Sequence, residues 1–534
     1  MRSKRAFGLK ILSLKLNWVA LLIAGSFCLA VSAQKGPAYT NPVQAGDFPD
    51  PSVIRVGRDY YATATSSEWA PEFPIMHSRD LVNWDIVGAV FPKRPDWSVG
   101  NYWAPEIWQE NGKFYVFYVA RRKGGPLCIA AATADKPTGP YEDHGPLKCQ
   151  EVGSIDAFPI RDENGRFFVV WKEDGNSVGR PTPIWAQELD PRSWKLIGDE
   201  REILRNDPAT WEGTLIEGPF IMRKNGYFYL FYSGNFCCGR GCNYAVGVAR
   251  SKTLLGGWEK YVENPILKGN ENWNCPGHGS IVTNESGRAY FMYHAYNPID
   301  TNYVGRQALL DEVTWTADGW ARINNGKGPS KQAPSPLGVP EREEEYNFLD
   351  EFNSPTLRFG WQWLHNSVPS YRMSNGLLEL SPNKSAEKDP VGGIMAYWTT
   401  RGDYVATTML DAASLKRGEL AGVSAYGDAE NALGAGLRDG KVVVWRREKN
   451  EFRILWSDDA PRSKEVYLRL TARDGIYYDF AVSENGRDFR GVGFEQNGDY
   501  LPPWDRGVRV ALTVGGAENA SARFGFLRIE ARRR

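Results

Sequence analysis

Apolar residues in this chain come in short runs between glycine-bearing turns, and no long run repeats with the 3.6-residue period of an amphipathic helix. Runs such as Phe114-Tyr-Val-Phe-Tyr-Val119 and Tyr227-Phe-Tyr-Leu-Phe-Tyr232 are rich in aromatic and β-branched residues, which suit a half-buried pleated surface. From about residue 346 onward apolar and polar positions alternate, as in Gly376-Leu-Leu-Glu-Leu-Ser381, Lys441-Val-Val-Val-Trp445 and Val466-Tyr-Leu-Arg-Leu470. Turn signals such as Glu484-Asn-Gly486 recur between them. The pattern predicts an all-β protein.

The strands of the first part repeat. Asp50-Pro-Ser-Val-Ile, Trp103-Ala-Pro-Glu-Ile, Asp156-Ala-Phe-Pro-Ile, Glu217-Gly-Pro-Phe-Ile and His278-Gly-Ser-Ile-Val share one register. Each leads by 11 or 12 residues the closing aromatic of a second phrase: Tyr61, Tyr115, Phe168, Tyr229 and Tyr290. A third aromatic follows in every copy, at Trp84, Tyr141, Trp194, Trp258 and Trp315. Each unit reads as strand, turn, aromatic strand, further strand and Trp- or Tyr-bearing edge. Four strands in roughly 50 residues, repeated radially, describe a β-propeller blade. Residues 41–325 are therefore predicted to form a five-bladed β-propeller. A solenoid with the same repeat would carry ladders of similar residues at the lead position, whereas these leads differ chemically.

Pro, Gly and Ser dominate from Gly326 to Pro340, and an acidic run from Glu341 to Glu345 follows, so residues 326–345 read as a linker. Residues 346–534 are predicted to form a separate antiparallel β-sandwich. At the other end, scattered Lys and Arg precede an apolar run from Trp18 to Val31 that closes on Ser32-Ala33. That run is short for a membrane span and fits a signal peptide over residues 1–33, with an exported, periplasmic or extracellular mature protein free of the membrane.

Composition narrows the function classes. The 64 basic and 64 acidic side chains cancel, which argues against a nucleic-acid binder. Loss of the signal segment removes Cys28 and leaves Cys128, Cys149, Cys237, Cys238, Cys242 and Cys275, an even set that suggests disulfides in an exported chain. Cys128 with Cys149 is a plausible local pair, and the remaining connectivity is open.

The lead residues carry the chemistry. The first strand of a propeller blade lines the central channel, so Asp50, Asp156 and Glu217 should face one another at its mouth. Carboxylates gathered in this way repel, and at least one should keep a raised pKa. Glycosidic cleavage needs one protonated acid beside the leaving oxygen and one ionised carboxylate on the other face of the sugar. A cation site using the carboxylates and His278 is the rival reading.

The stretch Asn41-Pro-Val-Gln-Ala-Gly-Asp-Phe-Pro-Asp50-Pro-Ser52 resembles the opening motif of glycoside hydrolase family 43, and Gly153-Ser-Ile-Asp156 and Ile216-Glu217-Gly-Pro219 resemble its other two acid motifs in the family's order. The resemblance implies a five-bladed propeller of the β-xylosidase and α-L-arabinofuranosidase branch, followed by a concanavalin-like jelly roll that starts near Phe359-Gly-Trp-Gln-Trp-Leu-His365. It implies an inverting, exo-acting hydrolase that releases xylose or arabinofuranose from hemicellulose-derived oligo- or polysaccharides. By the same resemblance Asp50 is the general base, Glu217 the general acid and Asp156 the carboxylate that tunes the acid. Trp103 resembles the aromatic wall beside the sugar and Arg306 the sugar-binding arginine. His278 resembles the axial histidine, which contacts the site through water or, in some members, binds an axial cation such as Ca²⁺; catalysis itself needs no cofactor. Trp69 is expected to cap the pocket, with Glu68 and Glu106 as further acids at its mouth. Endo-arabinanase activity, a retaining fructan-active propeller and a catalytically silent sugar-binding propeller are the alternatives. The sequence does not specify the oligomeric state.

Overall fold

The computed structural model describes residues 36–299, 301–342 and 346–532; the expected signal segment and Cys28 lie outside them. Five antiparallel sheets follow one another in chain order. Blade 1 holds Ser52–Val56, Asp59–Thr63, Glu72–Ser78 and Asp85–Phe91. Blade 2 holds Ser98–Glu110, Lys113–Arg122, Leu127–Ala134 and Glu142–Lys148, and blade 3 holds Ser154–Arg161, Phe167–Glu173, Ile184–Asp190 and Lys195–Leu204. Blade 4 holds Ile216–Lys224, Tyr227–Gly234, Ala245–Ser251 and Glu259–Lys260, with Leu267–Lys268 also pairing its third strand. Blade 5 closes with Asn274–Thr283, Ala289–Tyr296, Gln307–Trp315 and Ala321–Ile323. These are the predicted units, a five-bladed β-propeller.

Aromatic residues of the first and second strands build the core between blades. Phe158, Phe220, Phe231 and Phe291 belong to one buried cluster spanning blades 3, 4 and 5. Side-chain hydroxyls hold the inner strands to neighbouring segments. Ser280 Oγ accepts from Val53 N at 2.8 Å, Ser52 Oγ from Ile107 N at 3.1 Å, and Thr182 Oγ1 from Ile216 N at 2.8 Å. The first of these joins blade 5 to blade 1. Asn41 strengthens the same seam by bonding Leu310 through both its amide N and its amide O.

The C-terminal part is a sandwich of an eight-stranded and a six-stranded antiparallel sheet. Alternating residues such as Val442, Val444, Leu468 and Leu470 point into one core between the sheets. The segment read as a linker is held along the propeller. Ala38–Thr40 pairs with Gln332–Pro334, and Arg342 bonds Asp85. Proline and glycine there limit regular structure without leaving the chain loose.

Sandwich and propeller meet over an extensive face. Trp69–Ala70 pairs with Trp363–Leu364. Arg509, only 2 % exposed, bonds Asp47 Oδ2 at 3.2 Å and Gln362 Oε1 at 2.8 Å and lies over the Trp69 ring. Among the described residues three disulfides form: Cys128–Cys149 as expected, Cys237–Cys238 between adjacent residues, and Cys242–Cys275 between the approach to the third strand of blade 4 and the first strand of blade 5. Among the described residues no helix is long and apolar enough to cross a membrane.

Candidate active site

Regular pleating would turn successive side chains to opposite faces, yet the lead residues all approach one end of the axis. Local backbone irregularity accounts for this. The pairing of the first two strands shifts register between Trp103 and Glu106, between Ile155 and Phe158, between Glu217 and Phe220, and around His278. Such bulges re-aim side chains and recur beside active sites. Asp50, Asp156 and His278 have φ of 53°, 58° and 36°, a region L-residues rarely occupy. Each such residue costs about 1–3 kcal/mol, so the surrounding sheets must over-determine it. Gly218 meets the same demand at φ 60°, and a Cβ there would stand 2.9 Å from the His278 ring.

Asp50 is buried and fully engaged. Thr65 Oγ1 donates to its Oδ2 at 2.7 Å, and Arg306 Nη1 donates to its Oδ1 at 3.0 Å. His294 Nδ1 lies 3.1 Å from both the backbone N and the Oδ1 of Asp50, so this imidazole packs directly against the carboxylate. Burial pushes the Asp50 carboxyl up, but the Arg306 guanidinium, His278 and His294 together outweigh it and hold the group well below the usual carboxylate range. His294, fully buried, is pushed down to about 4 by desolvation and stays neutral.

Glu217 is held differently. Lys172 Nζ donates to its Oε2 at 2.9 Å and Tyr244 Oη donates to its Oε1 at 2.8 Å. Lys172 has no exposed surface and also bonds Asp174 Oδ1 at 2.8 Å. Burial would raise Glu217, but the Lys172 charge, joined by the hydrogen bonds from Lys172 and Tyr244, reverses that and holds it low. Asp156 accepts the Gly218 N–H at 2.9 Å, and burial, reinforced by the Glu217 charge, pushes its carboxyl up to about 6. The two carboxyls titrate as a pair, which below that pH holds a proton. His278 Nδ1 stands between the acids, 3.6 Å from Asp50 Oδ1 and 4.0 Å from Asp156 Oδ2.

The structure thus gathers Asp50, Asp156, Glu217, His278 and Arg306. Trp103 stands partly exposed, edge-on to Trp504 of the sandwich, whose own ring is 59 % exposed. The sandwich also reaches the partner of Asp50, since Arg306 Nη2 donates to the Asp505 carbonyl at 3.0 Å. The expectation for Trp69 needs correction. Its side chain has no exposed surface and packs edge-on to Tyr426, so it serves the interface with the sandwich and cannot cap a sugar. Glu68 likewise turns to the sandwich, 3.1 Å from His365 Nε2. Glu106 lies beside the axis, where burial pushes its carboxyl up to about 8.

The site does not suit Ca²⁺, which takes six to eight oxygen ligands. The oxygens of Asp50 and Glu217 already face Arg306, Thr65, Lys172 and Tyr244, and His278 offers nitrogen. Among the described residues no group of three or more His, Cys, Asp or Glu side chains is arranged to hold a metal ion.

Lys172, Tyr244, His294 and Thr65 were not singled out by sequence. Lys172 in Phe-Val-Val-Trp-Lys172 and His294 in Tyr-Phe-Met-Tyr-His294 carried a signal, a polar residue inside a strand otherwise buried. Tyr244 and Thr65 carried none.

A model described as glycosyl hydrolases family 43 matches residues 39–321, and one described as beta xylosidase C-terminal concanavalin A-like domain matches residues 349–529. A protein named xylosidase/arabinosidase 43B, from Humicola insolens, is 29 % identical over 419 residues, 73 % of this chain and 74 % of that one. An extracellular exo-alpha-(1->5)-L-arabinofuranosidase, ArbA of Cellvibrio japonicus, is 30 % identical over 315 residues, 52 % of this chain and 86 % of its own. The crystal structure of the GH43 protein BlXynB from Bacillus licheniformis superposes with a TM-score of 0.79 at 26 % identity, covering 93 % of this chain and 100 % of that one.

Proposed function

The chain belongs to glycosyl hydrolases family 43 and is a glycoside hydrolase, and from that premise we propose that it is an inverting, exo-acting enzyme that releases terminal xylose or arabinofuranose from hemicellulose-derived saccharides outside the cytoplasm. Asp50 is the general base, Glu217 the general acid and Asp156 the carboxylate that shares the acid's proton. The contrast between the buried acids carries this reading. Asp50 is neutralised by a guanidinium that cannot give up its proton, so it stays ionised and ready to take one from water. Asp156 is buried and faces the Glu217 charge, so the pair keeps a proton for the leaving oxygen. Inversion requires a water between base and anomeric carbon, with acid and base roughly 6.5–9.5 Å apart, and carboxylates from separate blades suit such a span.

Trp103 and Trp504 form an aromatic corner whose faces suit the C–H faces of a pentose. His278 holds the acids in relation to one another, and Arg306 presents its remaining donor edge to the sugar. The sandwich loop bearing Trp504 and Asp505 supports exo action, because it reaches Trp103 and Arg306 at the mouth, where a through-running polymer would have to pass. Relatives named for xylosidase and arabinofuranosidase activity, one of them named extracellular, support the substrate class and the export.

The test is hydrolysis of aryl β-xyloside and aryl α-L-arabinofuranoside, with the first-formed sugar followed by proton NMR. Inverted pentose from either substrate supports the reading. Turnover of neither substrate, or release of short oligosaccharides from linear arabinan, would favour an endo-arabinanase.

A further inference from the structure

Both oxygens of Glu217 are already occupied, and the two partners differ in what they allow. A lysine ammonium has three donors and no acceptor, whereas a tyrosine hydroxyl donates or accepts according to how it is turned. Lys172 Nζ sits 2.9 Å from Oε2 and 2.8 Å from Asp174 Oδ1, with no solvent around it. Burial alone would discharge it, but the Glu217 and Asp174 charges keep it protonated. An oxygen facing that ammonium has no room for a proton of its own. Oε1 faces Tyr244 instead, at 2.8 Å.

We propose that the transferable proton of Glu217 sits on Oε1, that Tyr244 is a positioning residue whose hydroxyl turns from donor to acceptor when that proton arrives, and that Lys172 reserves Oε2 as a permanent acceptor. This deepens the reading of Glu217 as the acid and rests on it. In the acid step the Oε1–H bond breaks and the proton joins the glycosidic oxygen. The bond from that oxygen to the anomeric carbon breaks as water, losing a proton to Asp50, attacks the carbon. Ionised Oε1 then takes back the Tyr244 O–H.

The ring of Tyr244 is fixed well enough for only the hydroxyl hydrogen to move. It stacks on His294 with centroids 5.7 Å apart and an interplanar angle of 8°. It also fills the space that a Cβ on Gly277 would need, 2.0 Å from Tyr244 Cδ1. Its segment is tied to the first strand of blade 5 through Cys242–Cys275, two residues before it. The titratable groups facing this pair are Lys172 and Asp174 from blade 3, Asp156 from the inner strand of blade 3, His278 and His294 from blade 5, and Asp50 across the mouth. Lys172 and the Tyr244 hydroxyl favour ionised Glu217, and the Asp156 charge opposes it.

Profiles of kcat/KM against pH for the full chain, on an aryl glycoside with a poor leaving group, test this directly. Tyr244→Phe removes a donor to the ionised acid and should move the alkaline limb up by roughly one pH unit. Lys172→Met removes a buried opposite charge and should move it up by roughly 1–3 units, while Lys172→Arg should restore the wild-type limb. A residue that merely supports the fold would lower the rate or the melting temperature at every pH and leave the limb in place. Unmoved limbs in Tyr244→Phe and Lys172→Met, or limbs displaced downward, overturn the proposal. The two lysine variants decide the matter even where Tyr244→Phe folds poorly. Glu217→Gln separates the layers. If it keeps the wild-type alkaline limb, the acid assignment itself fails; if it loses the limb while the other variants leave it unchanged, only the inference fails.

Discussion

Asp50, Asp156 and Glu217 begin with nearly the same chemistry, and their neighbours make them different. A guanidinium, a threonine hydroxyl and a histidine surround Asp50, while a lysine and a tyrosine hold Glu217 and a backbone N–H holds Asp156. Asp50→Asn and Glu217→Gln should each lower kcat by roughly 10²–10⁴-fold on unactivated substrate. Far-UV circular dichroism should stay near wild type, because both changes are isosteric, while Asp50→Asn should lower the melting temperature by leaving the Arg306 guanidinium without its buried charge partner. The pH profile follows from the same neighbours. Asp50 is held well below the usual carboxylate range, so it remains ionised as pH falls and the acid limb should lie below about pH 4. The alkaline limb should lie near the value of about 6 to which Asp156 is pushed, as the pair loses its shared proton. A plateau running unchanged through pH 8 would contradict this assignment of charges. The acids were legible in the sequence because their register repeats around the propeller. Lys172 and Tyr244 were not, because each meets Glu217 from another part of the propeller at no fixed distance along the chain. Trp69 was misread because the groups that bury it, near residues 363, 426 and 509, are remote in sequence.

Among elements, the inner strands do two jobs with one sequence. Their outer halves pair regularly and build the blades, while the bulged ends use local conformational strain to turn side chains toward the axis. Gly218→Ala should expose that strain. The new methyl meets the His278 ring, and φ 60° disfavours any Cβ, so destabilisation of about 1–3 kcal/mol is expected from denaturant titration, with a larger loss of activity. Alternation and turn residues were enough to predict the strands and their grouping. The bulges were hidden, since one extra residue in a strand leaves no distinct composition. The connection after blade 5 shows the converse. Its Pro, Gly and Ser content identified irregular chain, but its pairing with Ala38–Thr40 depends on where the N-terminal segment runs.

At the scale of the molecule, the sandwich is built into the site. Arg509 joins Asp47, Gln362 and the Trp69 ring in a buried cluster, and Asp47 in turn receives the backbone N–H of Arg306, the residue that holds Asp50. Arg509→Met leaves Asp47 without its charge partner and should cost about 3–5 kcal/mol of stability, read as a lower melting midpoint with weakened turnover. Deleting residues 346–534 should abolish activity, because it removes Trp504, the Asp505 carbonyl on Arg306 and the cover over Trp69. The sequence indicated two β-rich parts and left open whether the second touched the first. That question depends on surfaces that meet only after both have folded.

The central claim is the division of labour between Asp50 and Glu217, and it is tested most directly by measuring kcat for both variants on aryl pentosides of graded leaving-group acidity. Glu217→Gln should approach wild-type turnover on the most acidic phenol, which departs without a proton, and fall steeply on the least acidic. Asp50→Asn should be depressed along the whole series, because every substrate needs its water activated. Equal dependence of the two variants on the leaving group would contradict the assignment of acid and base.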